Sequence, residues 1–155
     1  MIWFIQVWSN FRIHLESLGG YVPQLGLRLM LAYEFWESGV EKFNGTNWFA
    51  EMQSSFPFPF NIVPADISWQ LATWFELIGP VALVLGLATR FFSMSLIILT
   101  IVAWAAVHTG SGYNVCENGY KLPLIYLLMF IPLLFSGAGK ASLDYFIWKR
   151  VSKSG

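Results

Sequence analysis

The chain has 155 residues, enough for one domain; 56% of them are apolar and 12% charged, about half the charged fraction of an ordinary soluble domain. A soluble fold of this size cannot cover so much apolar surface with so few charges, and a formal net charge of zero leaves no field directed at nucleic acid. Eight Trp, six Tyr and fourteen Phe suit aromatic belts at two membrane interfaces. Lipid is the solvent these numbers point to, and a lipid bilayer the first partner.

In chain order, residues 1–20 come first. Ile2, Trp3, Phe4, Ile5, Val7, Trp8, Phe11 and Leu15 are apolar, with Arg12, His14 and Glu16 among the later positions. The stretch is too short to span a bilayer. It has neither a basic start nor a small-residue cleavage site, so it reads as an amphipathic helix lying on the membrane and not as a signal peptide. The membrane domain then covers 21–155, with spans at about 21–40, 69–88, 91–109 and 120–138. The clearest is 91–109, without one Asp, Glu, Lys or Arg. At about 1.5 Å per residue it matches the ~30 Å hydrocarbon core.

The connections differ. A tight hairpin at 87–91 joins the second and third spans. The longest link, 43–68, carries Phe56, Pro57, Phe58, Pro59 and Phe60, which favours extended chain and sets three Phe against the membrane or over the bundle. Pro64 suits the first turn of the next helix. Pro80 and Pro132 fall inside spans, where lipid-embedded helices tolerate them. A short amphipathic helix over 142–149 closes the chain. The fold class read here is all-α, a transmembrane four-helix bundle with an N-terminal interfacial helix and a short C-terminal amphipathic helix.

Four spans put both termini on one side. That side holds Arg12, Arg90, Lys140, Lys149, Arg150 and Lys153; the other holds Lys42 and Lys121. The bias places both ends in the cytoplasm, as a multi-pass protein of the bacterial inner membrane.

The first span concentrates the charge. Glu34, Glu37 and Glu41 share one helical face, Arg28 lies about two turns before Glu34, and Lys42 follows Glu41. Glu76 adds an acid on the second span; His108 and Lys121 stand at the outward ends of the third and fourth. Ionisable groups in hydrocarbon cost at least ~2.5–3.5 kcal/mol each, so these eight are expected to turn inward as a polar cluster. Two readings carry equal weight: structural ion pairs that lock helices, or a site for a proton, cation, quinone or peptide. Lys42 and Glu76 are expected to pair. Arg28 reaches Glu34 at best. Four acids outnumber the bases near them, so one carboxyl is left to handle protons, with Glu76 and Glu37 the candidates.

Other chemistry is thin. Cys116 is the single cysteine, so no intrachain disulfide forms, and with His14 on the other side no closed metal site is expected. Gly137, Ala138, Gly139 and Lys140 lack the spacing of a phosphate loop. No covalently bound cofactor is implied, and no Ser-His-Asp arrangement is evident.

The run Leu27, Arg28, Leu29, Met30, Leu31, Ala32, followed by Phe35, Gly39, Lys42 and Phe43, resembles the first helix of the DoxX family. Glu76, Leu77, Ile78, Gly79 and then Leu85, Gly86, Leu87, Ala88, Thr89, Arg90 resemble its second helix and turn. The stretch 137–144 resembles its closing motif. Together these cover about 25–146, and 56–60 with Val107 and His108 look most like the HvfX branch. The resemblance implies a four-helix inner-membrane protein that acts as an accessory subunit of a quinone-linked or other membrane redox system. The alternatives are a non-catalytic partner in copper-binding modified-peptide maturation or metal stress, and a small solute or ion carrier.

Overall fold

A computed structural model describes residues 2–153, with side chains from residue 6 onward; Met1 and the side chains of Ile2, Trp3, Phe4 and Ile5, counted above in the interfacial segment, lie outside the described residues. The described chain is all-helical. Its elements are α1 (Ile2–Gly19), α2 (Val22–Asn44), α3 (Phe49–Met52), α4 (Ala65–Leu85), α5 (Thr89–Ala103), α6 (Lys121–Ser136) and α7 (Leu143–Val151). A π-turn, Trp104–His108, prolongs α5, and short 3-10 turns lie at Gln53–Ser55 and Val115–Glu117.

Four long helices close a ring. α2 packs on α4 and α6, and α5 packs on the same two. Leu31, Leu83, Leu96, Phe130 and Leu133, at least one from each helix, meet at the centre with no exposed surface. Small residues set the approach. A Cβ on Gly39 of α2 would lie 2.7 Å from the Glu76 carbonyl oxygen, so only glycine lets α2 sit against the α4 backbone. Gly79 accepts the side chain of Leu96 in the same way.

The outer faces are apolar along their lengths. Tyr33 and Trp36 of α2, Trp74 and Ile78 of α4, and Ile98 and Ile101 of α5 are all exposed. Two helices are long and apolar enough to cross a membrane, Ala65–Leu85 and Thr89–His108. α6 is apolar but shorter, and α2 carries Arg28, Glu34, Glu37, Glu41 and Lys42.

The helix ends depart from the sequence expectation by a few residues. α2 runs on to Asn44, so Glu41 and Lys42 stand on the helix and not beyond it. α4 starts at Ala65, directly after Pro64, and stops at Gly86, whose φ of 66° is left-handed. Ser142 is not part of the last helix but its N-cap, its hydroxyl accepting from the Tyr145 amide. The 43–68 link is more ordered than extended chain: α3 and a 3-10 turn set Phe56 against Phe49 and Phe49 against Trp69. Of the three Phe, Phe56 is buried, Phe60 half-buried and Phe58 exposed. The α1 side chains described from Gln6 to Leu18 are all exposed, and Arg12 pairs only with Glu16, one turn on, at 2.8 Å.

Candidate functional site

The bundle has two polar ends, and the eight residues singled out in the sequence divide between them. One end, here the loop end, lies where the 45–64 and 109–120 segments leave the helices. The other, the turn end, holds the 86–88 turn and the 137–144 segment.

At the loop end Lys42 Nζ stands 2.7 Å from Glu76 Oε2. The two side chains are 14% and 9% exposed, so the charges are held largely away from water. Ser38, one turn before Lys42, lies between them: Lys42 Nζ donates to its hydroxyl at 2.8 Å and that hydroxyl donates to Glu76 Oε2 at 3.2 Å. One ammonium, one hydroxyl and one carboxylate thus close a triangle between α2 and α4. The close approach at Gly39 brings these helices near enough for it to form.

Beside the triangle lies a cavity of about 340 Å³. Glu34, Glu37 and Glu41 line it from α2, Tyr126 from α6 and His108 from the π-turn. The Tyr126 hydroxyl donates to Glu34 Oε2 at 2.5 Å. His108 Nδ1 is 2.6 Å from the Asn118 carbonyl oxygen. A carbonyl only accepts, so Nδ1 carries the proton, and in the neutral ring Nε2 is left as an acceptor. The π-turn that carries His108 is a rare geometry found often at functional sites. Across the Lys42–Glu76 pair lies a second, apolar chamber of about 150 Å³, walled by Trp48, Phe49, Phe56 and Val102. Lys42, Glu76, Leu99 and Ala103 line both spaces. The buried Ser68 hydroxyl also borders the apolar chamber and has no hydrogen-bond partner among the described residues.

Six of the eight sequence candidates therefore meet here: Glu34, Glu37, Glu41, Lys42, Glu76 and His108. Lys121 stands apart, half-buried, with Nζ 5.7 Å from the centre of the Tyr113 ring. Glu76 is the acid with a basic partner. Glu34, Glu37 and Glu41 have none at ion-pair distance among the described residues, so of the two candidates for an unpaired carboxyl Glu76 is paired and Glu37, on the α2 face, is not. Glu37 and Glu41 are exposed and Glu34 half-buried.

Arg28 belongs to the turn end and does not reach Glu34. It is fully buried, with Nη1 donating to Leu83 O at 3.3 Å and Nη2 to Ala141 O at 2.6 Å. Gly86 leaves room for the guanidinium; a Cβ there would collide with Arg28 Nη1 and with Ser142. Nearby, Asp144 accepts from the Ala88 amide at 2.8 Å and the Thr89 amide at 2.9 Å, capping α5.

Ser38, Tyr126 and Asp144 were not among the sequence candidates for the cluster. Ser38 had a signal, since it is four residues from both Glu34 and Lys42 on the same helical face. Tyr126 had a weaker one, a phenol within an otherwise apolar stretch. The aromatic chamber had only the placement of Phe56 against the membrane or over the bundle; Trp48 and Phe49, in the same irregular link, had no signal.

The DoxX family model matches residues 24–109, which takes in α2, α4, α5 and the π-turn and stops before α6 and the 137–144 segment. An uncharacterized protein of Haemophilus influenzae is 56% identical over 135 residues, 87% of this chain and 89% of its own length. A second uncharacterized protein of the same organism is 31% identical over 130 residues, 80% of this chain and 90% of its own. No solved structure matches.

Proposed function

This chain belongs to the DoxX family of membrane proteins, and from that premise we propose that it crosses the bacterial inner membrane four times and serves as an accessory subunit of a quinone-linked redox system. The apolar outer faces of all four long helices support the crossing. The excess of basic residues at the turn end supports cytoplasmic termini. Cys116, the single cysteine, is exposed on the 109–120 segment and provides the test. In intact cells with a permeabilised outer membrane, a membrane-impermeant maleimide labels it in this orientation. Labelling only after lysis reverses the orientation.

One observation carries the quinone reading: a largely buried ammonium–carboxylate pair forms the seam between a polar cavity and an aromatic chamber. A quinone has the same division, a head with two carbonyl oxygens and an apolar remainder. The polar cavity is within the size range of small-molecule sites, about 300–1,000 Å³. Lys42 Nζ, with three protons, is the donor placed to hold a carbonyl oxygen; the Ser38 and Tyr126 hydroxyls join it by giving up their bonds to Glu76 and Glu34. Reducing a quinone to a quinol takes two electrons and two protons. The electrons come from a partner oxidoreductase; the Glu37 and Glu41 carboxylates, exposed at the cavity, relay protons from water.

The test is titration of the purified protein with a short-chain quinone, read by quenching of tryptophan fluorescence. Trp48 and Trp69 stand at or beside the chamber. Saturable quenching is expected, and Ala103→Phe, which fills the space shared by both cavities without touching a charge, abolishes it while leaving the melting temperature in place. Quenching that rises linearly, as in empty micelles, overturns the reading.

A second reading rests on the exposure of Phe58 and Cys116 on the loop-end segments. These give a surface for a copper-binding modified peptide, as in the HvfX-like alternative. A gene for a multinuclear-iron peptide-modifying enzyme beside this one, together with no quinone binding, favours it.

A further inference from the structure

The loop end does not hold the only sizeable cavity among the described residues. About 670 Å³ opens at the turn end, where Gly20 and Gln24, the start of α5, the 136–140 segment and α7 meet. Two cations line it. Arg90 is anchored by Nη2 donating to Phe135 O at 3.0 Å. Lys140 lies along Gly20, with Nζ 5.5 Å from the Tyr21 ring centre. Neither has a carboxylate partner at ion-pair distance among the described residues. The one acid in the cavity is Asp144, and both of its oxygens already accept backbone amides of the α5 N-terminus. Its charge is set against that helix end and the buried Arg28 behind it, which leaves Arg90 and Lys140 as the uncompensated charges facing the space.

The rim is aromatic. Phe91, Tyr145 and Trp148 line the same cavity, and Phe91 and Trp148 are exposed. Indole and phenol side chains at a helix end sit at headgroup level, with apolar faces toward acyl chains. The backbone keeps the floor open: Gly137 and Gly139 have φ of 76° and 79°, and a Cβ on Gly139 would lie 3.0 Å from Gln24.

We infer that this cavity binds the phosphate headgroup of an anionic phospholipid, held by Arg90 and Lys140, with its chains against the aromatic rim. A phosphodiester fits the two donors, the size and the position at the end of apolar helices. A free phosphate shares the charge chemistry but makes no use of the rim. The site is independent of the quinone reading and of the direction in which the protein is inserted.

The test is native mass spectrometry of the purified full chain with phosphatidylglycerol or phosphatidylcholine at matched concentrations. Phosphatidylglycerol adducts are expected to dominate. Arg90→Gln/Lys140→Gln weakens them by roughly thirtyfold, from about a fivefold effect per basic residue near a membrane surface. Lys149→Gln/Lys153→Gln, which changes charges outside the cavity lining, leaves them within about twofold. Lys140→Gln alone, which spares the Arg90 bond to Phe135, weakens them by about fivefold and keeps the fold testable by its melting temperature. Equal loss in the Lys149/Lys153 pair would reduce the effect to diffuse charge and overturn the site. So would equal binding of phosphatidylcholine. Displacement of phosphatidylglycerol by inorganic phosphate at equal concentration would overturn the lipid in favour of a soluble anion.

Discussion

The two ends of the bundle solve the same problem in opposite ways. Each must keep a cation inside a helix bundle whose outer faces are apolar. At the turn end Arg28 is fully buried and bonds to backbone carbonyls, Leu83 O and Ala141 O. At the loop end Lys42 is matched by a side chain, Glu76, through a hydroxyl, with open cavities on either side. Carbonyls cannot change protonation or move far, so the Arg28 arrangement is a brace. A carboxylate, a hydroxyl and an ammonium can trade partners with an incoming ligand. Residues that look alike as charges in the sequence are therefore held by different chemistry.

Removing one member of the Lys42–Glu76 pair is the strongest way to break that contrast. Lys42→Met or Glu76→Gln leaves a poorly solvated partner and is expected to cost about 3–5 kcal/mol. The double variant should recover part of this, in denaturant titrations in micelles followed by circular dichroism. Additive losses would mean the triangle is not a coupled unit. Gly86→Ala attacks the other end. Overpacking against Arg28 and Ser142, added to the left-handed φ, gives an expected loss of roughly 2–4 kcal/mol and a lower melting temperature. A wild-type melting temperature would show that the turn end is looser than a brace.

Arg28→Lys sharpens the comparison. The charge stays, but an ammonium cannot span both carbonyls as a guanidinium does, and one charged hydrogen bond worth about 1.5–3 kcal/mol is lost. A matching Lys42→Arg at the loop end should lower the melting temperature less, because the cavities give room. Equal effects would erase the distinction. The smallest change is Tyr126→Phe, which removes the bond to Glu34 and should cost about 0.6 kcal/mol, as interhelical hydrogen bonds in membranes do on average. A loss several times larger would make Glu34 part of the coupled unit at the loop end.

Most of the helices were legible in the sequence because their signal is local. Nineteen residues without a charge, Pro64 at a helix start and a tight hairpin expected at 87–91, which lies at 86–88, can be read without knowing what packs where. The shared face of Glu34, Ser38 and Lys42 is also local, a matter of helical spacing. The partner of Arg28 was not legible. The sequence suggested Glu34, six residues on, because side-chain charges can be seen in a list and backbone carbonyls cannot. Its acceptors lie 55 and 113 residues away. The aromatic chamber was hidden for a related reason: α3 has four residues and no periodicity, and it is ordered by ring contacts with Trp69.

The 113-residue gap between Arg28 and Ala141 also sets an order of events during synthesis. α2 is made well before Ala141, the acceptor of its guanidinium that follows 113 residues later. The same late segment donates the Lys140 amide to Gly20 O and the Asp144 amide to Gly86 O. Until the ribosome has passed residue 144, the early helices are without their latch, and Arg28 must be kept by water, headgroups or the insertion machinery. A chain stopped at residue 136 has all four long helices and lacks the segment that bonds to Arg28, Gly20 and Gly86.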